Sequence, residues 1–147
     1  MKFQEFENKI VKITKLKLPG EVAQFKMAPM ERLGVLKKIA IEKATVRKAG
    51  VLVLFYPSEV KQTMLALILR KTYKGVHSAQ IGFPGGKYEN EDTSLKETAL
   101  RETEEEIGVL RNTVSVLKKL TEVYIPPSNF FVQPYLGITK NTPNFIL

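Results

Sequence analysis

The 147-residue sequence contains no cysteine and no tryptophan, and it has a single histidine. The absence of cysteine excludes disulfide bonds and thiolate metal sites, so the fold must be held together without them. A lone histidine excludes a metal centre built from several imidazoles. The length and a hydrophobic fraction of 44% are sufficient for one domain with a sizeable core. The composition therefore predicts a single domain spanning residues 1–147.

Long apolar runs are also absent from the sequence. No stretch is long enough to cross a bilayer, and Met1–Glu5 lacks the apolar segment of a secretory signal. We therefore expect a cytoplasmic protein without a membrane partner. Residues 3–17 place apolar side chains at helical spacing with lysines between them, which predicts an amphipathic helix. Packing against the domain is the simpler interpretation of this helix, and binding to a membrane surface is the alternative.

Acidic residues are scarce outside one segment. The chain has a net charge of +8, yet residues 85–109 hold eight acids and three bases, which leaves seven acids and 20 bases elsewhere. An anionic segment of net charge −5 in a body of +13 suits a metal site that receives a polyphosphate. The positive excess would also attract RNA or DNA, but the basic residues are scattered without an aromatic–basic pattern for base stacking. A small-molecule substrate is therefore expected rather than nucleic acid.

The acidic segment carries the pattern of a helix from Ser94 to Gly108. Ser94 and Glu97 fit a capping box, Asp92 adds charge favoured at a helix N-terminus, and Gly108 is a typical C-terminal cap. Residues at four-residue steps predict a buried face: Leu95, Ala99, Thr103 and Ile107.

Three glutamates of this helix, Glu102, Glu105 and Glu106, stand at i, i+3 and i+4 and share one face. A divalent cation would remove their mutual repulsion, and carboxylate oxygens suit Mg²⁺ or Mn²⁺. The alternative is an ordinary solvated acidic face. Arg101 can neutralise one of these acids when no metal is bound.

The residues before the helix predict strands and a glycine turn. The apolar runs 51–56 and 64–69 predict a hairpin whose turn lies at 58–63. Gly85 and Gly86, after Pro84, predict a tight turn that allows a ligand to approach the backbone closely.

Arg70 and His77 lie between the hairpin and the turn. Arg70 is either a phosphate contact or ordinary surface charge, and His77 is either a substrate contact or a structural residue. After the helix, residues 114–124 suggest a strand or two, and Phe130 to Ile138 predict another strand with Pro134 at an edge or a bulge. A further apolar strand is expected to begin at residues 144–147.

The segment Arg101–Val109, RETEEEIGV, resembles the second half of the Nudix box, R-E-U-x-E-E-x-G-U with U apolar. Gly86 followed by Asp92 is similar to its first half, G-x5-E. Three departures are visible: Asp92 replaces glutamate, Thr103 replaces an aliphatic residue, and the gap between Asp92 and Arg101 is one residue longer than standard.

The lengthened gap resembles the coenzyme A pyrophosphatase branch of this family. The apolar run 65–69 followed by Arg70, and the sequence FPGG at 83–86, are also similar to that branch. Gly75 and Ala79 stand where the branch usually has a second arginine and a glycine.

The resemblance implies an α/β/α sandwich around a mixed sheet, preceded by a helical extension of about residues 1–48. It also implies that the family continues with a further strand and a closing helix, so we expect this chain to be truncated at its C-terminus. A homodimer is left open.

The resemblance implies that Mg²⁺ or Mn²⁺ is held by Glu102, Glu105 and Glu106, helped by the Gly85 carbonyl. Glu105 is the candidate general base with Glu102 as the alternative, and Arg101 holds the glutamates in place. The substrate side is formed by Gly85, Gly86, Arg70 and His77. The implied substrate is coenzyme A or an acyl derivative. The alternatives are ADP-ribose, a dinucleoside polyphosphate, or a non-catalytic nucleotide-binding module.

Overall fold

A computed structural model of the chain describes residues 1–27, 46–70 and 80–146. Its helices are α1 (Phe3–Lys15), α2 (Gly20–Met27) and α3 (Leu95–Ile107), with short 3₁₀ turns at Arg111–Thr113 and Pro126–Ser128. Its strands, in chain order, are β1 (Arg47–Pro57), β2 (Thr63–Leu65), β3 (Ile68–Leu69), β4 (Ile81–Gly82), β5 (Gly85–Lys87), β6 (Ser115–Lys119), β7 (Val123–Ile125) and β8 (Phe130–Ile138).

In the described part of the chain the main sheet has six strands and is mixed. The long strand β1 pairs in parallel with β8 over the whole length of β8, from Arg47 opposite Phe130 to Phe55 opposite Ile138. On its other edge β1 pairs antiparallel with β5 and β2, while β6 and β7 pair antiparallel with β8. Strands β3 and β4 form a separate two-stranded sheet.

Helices cover the main sheet on both faces. On one face α3 packs on a core that includes Leu52, Leu54 and Tyr135. On the other face Phe3, Phe6 and Ile10 of α1, together with Leu136 and Ile138 of β8, form a second core. The α/β/α arrangement with a mixed sheet is therefore confirmed. The amphipathic helix predicted at residues 3–17 is present as α1, and its apolar face packs against the domain.

Lys118 fixes the C-terminal end of α1 to the sheet. Its Nζ donates to the carbonyl oxygens of Thr14 (2.7 Å) and Leu16. A cation at this end satisfies carbonyl groups that the helix leaves unpaired and is favoured by the helix dipole.

The predicted hairpin is present, but its second arm is shorter than expected. The apolar run 64–69 is divided between β2 and β3, because the Ala66 amide still bonds to Leu54 of β1 whereas Ile68 pairs with Gly82 of β4. Only part of the run therefore belongs to the main sheet.

The edge placement predicted for Pro134 was wrong. Strand β8 lies in the sheet interior, between β1 and the β6–β7 edge. Pro134 is tolerated there because it faces the break between β6 and β7, where the Leu120 amide donates to its carbonyl at 2.9 Å. In a regular antiparallel pair, the backbone N–H of the same residue would donate to the Leu120 carbonyl, but proline has no N–H. The buried Gln133 amide supplies it instead, since its Nε2 donates to the Leu120 carbonyl at 2.7 Å.

The strand expected at residues 144–147 is also absent from the part of the segment that the structure describes. Residues 142–146 are irregular and cover the C-terminal end of α3. The Ile146 amide donates to the Ile107 carbonyl at 3.1 Å, and Phe145 packs edge-on against Tyr56. The sequence also predicts a loop at residues 27–30 and a short helix at 31–39; apart from Met27, which ends α2, these residues lie outside the described part of the chain.

Candidate active site

Helix α3 presents its acids because its two ends and its buried face are fixed. The Ser94 hydroxyl accepts from the Glu97 amide at 3.3 Å, and Gly108 ends the helix in the left-handed conformation with φ of 72°. The predicted buried face is confirmed at Ala99, Thr103 and Ile107, while Leu95 is partly buried against the same core. The same side of the helix also buries Thr98 and Leu100.

The glycines before α3 form a strand rather than the predicted tight turn. Gly85 and Gly86 belong to β5, opposite Val51 and Gly50 of β1. Glycine is needed at Gly85 because its φ is 142° and an added Cβ would lie 2.3 Å from the Gly50 carbonyl oxygen. Strand β5 consequently runs directly beside the acidic face of α3.

Two of the three glutamates contact this strand. The Gly85 amide donates to Glu106 Oε2 at 2.8 Å. The Glu102 carboxylate packs against Gly86, where an added Cβ would lie 2.3 Å from Glu102 Cδ. Glu105 is more exposed, with 57% of its side-chain surface accessible. The face therefore combines two half-buried acids and one that reaches solvent.

Arg101 connects the acids, because one edge of its guanidinium bonds to Asp92 and the remaining nitrogen bonds to two of the glutamates. Its Nε and Nη2 donate to the two carboxylate oxygens of Asp92 at 2.9 and 3.0 Å. Its Nη1 donates to Glu102 Oε1 at 3.0 Å and Glu105 Oε2 at 3.2 Å. A bidentate Arg–carboxylate pair fixes orientation as well as charge. Arg101 therefore links the loop before α3 to the glutamate face.

Asp92 does more than add charge at the helix N-terminus. Only 6% of the residue is exposed, and its Oδ2 also accepts from the Glu89 amide at 3.0 Å and the Thr98 hydroxyl at 2.8 Å. The Arg101 guanidinium holds the pKa of the Asp92 carboxyl well below its usual range, despite the opposing effect of burial. The Asp92–Arg101 pair is therefore ionised at neutral pH.

Burial has the opposite effect on the glutamates beside β5. It raises the pKa of Glu102 and of Glu106, although hydrogen bonds from Arg101 and Gly85 act against this shift. The charge of Arg70 also lowers the pKa of Glu106. The hydrogen bonds and positive charges of the protein therefore do not fully offset the cost of burying Glu102 and Glu106 in their ionised form.

The donor chemistry of this face fits a hard divalent cation. Its ligands would be carboxylate oxygens, two of them on side chains whose ionised form is disfavoured by burial. Within residues 1–27, 46–70 and 80–146, no three acidic or histidine side chains already converge on one point. Arg101 contacts Oε1 of Glu102 and Oε2 of Glu105, so a cation would bind through the other oxygen of each carboxylate.

The structure brings together most of the predicted site residues. Arg70 follows β3, and its amide donates to the Gln80 carbonyl at 3.0 Å, which holds it near the start of β4. His77 lies outside the described residues, so its role stays a prediction. Thr98 was missed by the sequence analysis, because a threonine on the buried face of a helix gives no sign of its partner.

The comparisons with known proteins give the class of the domain. The family model of the NUDIX domain matches residues 46–142. This is two thirds of the chain and contains both the sheet and the acidic helix. The chain belongs to the Nudix family, whose hydrolases generally use divalent metal ions such as Mg²⁺ or Mn²⁺.

Individual relatives are consistent with this assignment. A protein from Yersinia enterocolitica named uncharacterized Nudix hydrolase NudL is 40% identical over 81 residues, which cover 55% of this chain and 41% of the relative. The chain thus spans less than half the length of this relative.

None of the described helices is long and apolar enough to cross a membrane.

Solved structures share the fold at low sequence identity. A MutT/Nudix family protein from Enterococcus faecalis has a TM-score of 0.56 at 22% identity, covering 82% of this chain and 47% of that one. The NUDIX domain of Shewanella oneidensis NrtR, solved as a complex with ADP ribose, has a TM-score of 0.53 at 17% identity, covering 76% and 74%.

Proposed function

We propose that the protein is a metal-dependent pyrophosphatase that hydrolyses a nucleoside diphosphate derivative. The observation that carries this proposal is the glutamate face of α3, organised by Arg101 and directed at the glycine strand β5 within a Nudix domain. Glu102, Glu105 and Glu106 would hold Mg²⁺ or Mn²⁺. When bound, the cation neutralises negative charge on the diphosphate oxygens and activates water.

The residues of the chain divide the remaining tasks. Glu105 is the preferred general base, because it is the most exposed of the three glutamates and is held by Arg101 at 3.2 Å. Glu102 is the alternative base. Arg101 positions these carboxylates. Arg70, a cation that follows β3 and is held beside the start of β4, would contribute a phosphate contact.

Coenzyme A or an acyl-coenzyme A is the proposed substrate, cleaved to 3′,5′-ADP and a phosphopantetheine. Support comes from the run 65–69 with Arg70, the sequence FPGG at 83–86, and the lengthened gap before Arg101. His77 would contact the substrate, and Gly85 and Gly86 would allow its close approach.

Two alternatives remain. The first is hydrolysis of ADP-ribose or a dinucleoside polyphosphate; ADP ribose is the ligand in the NrtR complex. The second is a non-catalytic nucleotide-binding module.

We further propose that the protein is cytoplasmic and acts on a small molecule rather than on nucleic acid, and that a homodimer is compatible with this activity.

A substrate panel tests these proposals. Purified protein would be incubated with coenzyme A, ADP-ribose, NADH or diadenosine polyphosphates, with Mg²⁺ or Mn²⁺, and the products identified by mass spectrometry. We expect 3′,5′-ADP from coenzyme A. Tight binding of a nucleotide without any product would favour the binding module, and preferential cleavage of ADP-ribose would overturn the coenzyme A assignment.

The variant Glu106→Gln tests the metal site. It should lower turnover roughly a hundredfold or more, because it removes a charged ligand, while the amide oxygen can still accept from Gly85. Glu104→Gln is the matched control, since Glu104 lies on the same helix but pairs with Arg111. Equal activity of the two variants would contradict the metal site.

A further inference from the structure

Thr98 is a fully buried residue with a polar partner outside its own helix. Its exposed surface is 0%, and its hydroxyl donates to Asp92 Oδ2 at 2.8 Å. The Ser94 carbonyl, one turn earlier, is a second acceptor at 3.3 Å. The shorter contact to an ionised carboxylate is the stronger of the two. The Thr98 hydroxyl therefore ties α3 to the loop that precedes it.

This contact accompanies two unusual features of the sequence. Asp92 is one methylene shorter than the glutamate of the general Nudix box, and one extra residue separates it from Arg101. Asp92 nevertheless meets Arg101 with both carboxylate oxygens. The Glu89 amide and the Thr98 hydroxyl hold the carboxylate from the other directions. Thr98 is the only side chain besides Arg101 among these donors.

The orientation of Asp92 determines where the rest of the Arg101 guanidinium lies. The guanidinium is planar, so fixing Nε and Nη2 on Asp92 also fixes the position of Nη1. Nη1 is the atom that contacts Glu102 and Glu105. A small rotation of the Asp92 carboxylate would therefore move the contact to both proposed metal ligands.

We propose that Thr98 is a positioning residue for the metal site. Its hydroxyl orients Asp92, Asp92 sets the plane of Arg101, and Arg101 sets the arrangement of Glu102 and Glu105 before the cation arrives. This inference rests on the proposed function, because it takes those glutamates as cation ligands. It assigns a role in the site to a residue that is itself remote from cation and substrate.

Thr103 provides a matched control for this role. It is also on α3, is also 0% exposed, and donates its hydroxyl to the Ala99 carbonyl of its own helix at 2.6 Å. Thr98→Val and Thr103→Val each remove one buried hydroxyl at nearly constant volume. Only the first removes a donor from Asp92.

The test measures Mn²⁺ binding to the full chain by electron paramagnetic resonance of the free ion, alongside thermal unfolding. Thr98→Val should weaken Mn²⁺ binding about tenfold, at the lower end of the effect of removing groups that support metal ligands. Thr103→Val should bind Mn²⁺ like the unchanged protein, even if it unfolds at a lower temperature.

A second pair of variants keeps the test informative if Thr98→Val does not fold. Thr98→Ser and Thr98→Ala both remove the methyl group, but only the serine keeps the hydroxyl, so only the serine should retain Mn²⁺ affinity. Equal Mn²⁺ affinity of Thr98→Val and Thr103→Val, or of Thr98→Ser and Thr98→Ala, would overturn the positioning role while leaving the metal site intact. Failure of the unchanged protein to bind Mn²⁺ would overturn the proposed metal site and this inference together.

Discussion

At the scale of single residues, Gly86 shows how an absent side chain makes room for a functional one. An added Cβ would lie 2.3 Å from Glu102 Cδ and 2.4 Å from Glu102 Oε2, closer than real Cβ contacts allow. The atoms in the way belong to the end of a flexible side chain, so they can move at small cost to the fold. Moving them would, however, take the Glu102 carboxylate away from Arg101.

We therefore predict that Gly86→Ala separates stability from activity. The melting temperature should change little, whereas turnover should fall about a hundredfold, the scale of a misplacement of about 1 Å in an active site. Gly82→Ala is the control, because its added Cβ would lie at an ordinary 3.8 Å from Arg70 Nε. Parallel melting curves and steady-state assays would check both variants. Full activity of Gly86→Ala would show that the position of Glu102 is unimportant.

At the scale of elements, helix α3 is predictable because its signals are local. Its cap residues and the spacing of its buried face lie within one segment, and Ser94 and Gly108 bound the helix as predicted. The bounds of β8, Phe130–Ile138, also follow from a local run. The strands that pair with β8 do not follow from a local run, since β1 and β8 are distant in sequence. Pro134 was therefore placed at an edge although β8 lies in the sheet interior.

The same distinction holds for the site. The shared face of the glutamates follows from helical periodicity alone. The contacts of Arg101 with Asp92, and of Asp92 with Thr98, depend on the path of the loop between Gly86 and Ser94. That path is set by buried hydrogen bonds, which hydrophobic periodicity does not encode.

Strand β8 yields a prediction about how it accommodates Pro134. Gln133→Leu should destabilise the protein by about 1–3 kcal/mol, because the Leu120 carbonyl loses the donor that replaces the missing proline N–H. Adding Pro134→Ala should recover part of this loss, since alanine supplies a backbone N–H facing the same carbonyl. Urea unfolding of both single variants and the double variant forms a double-mutant cycle. Strictly additive losses would contradict this explanation.

At the scale of the whole molecule, α1 contributes one of the two helical layers. It precedes residues 46–142, which the family model matches, yet its side chains complete the core on the face of the sheet opposite α3. Phe6 is 8% exposed and packs against Phe55 with ring centroids 4.6 Å apart. We infer that this helix is part of the folding unit rather than an appendage.

Phe6→Ala tests this inference. Truncating a buried phenylalanine should cost about 3–5 kcal/mol, a large part of the 5–15 kcal/mol that stabilises a typical domain. A fall in melting temperature of about 10 °C is then expected for a chain of this length. Phe25→Ala on α2 is the control, because Phe25 is 39% exposed and should contribute much less. If Phe6→Ala melted like Phe25→Ala, α1 would be dispensable to the fold, and the sheet would have to be stable with that face uncovered.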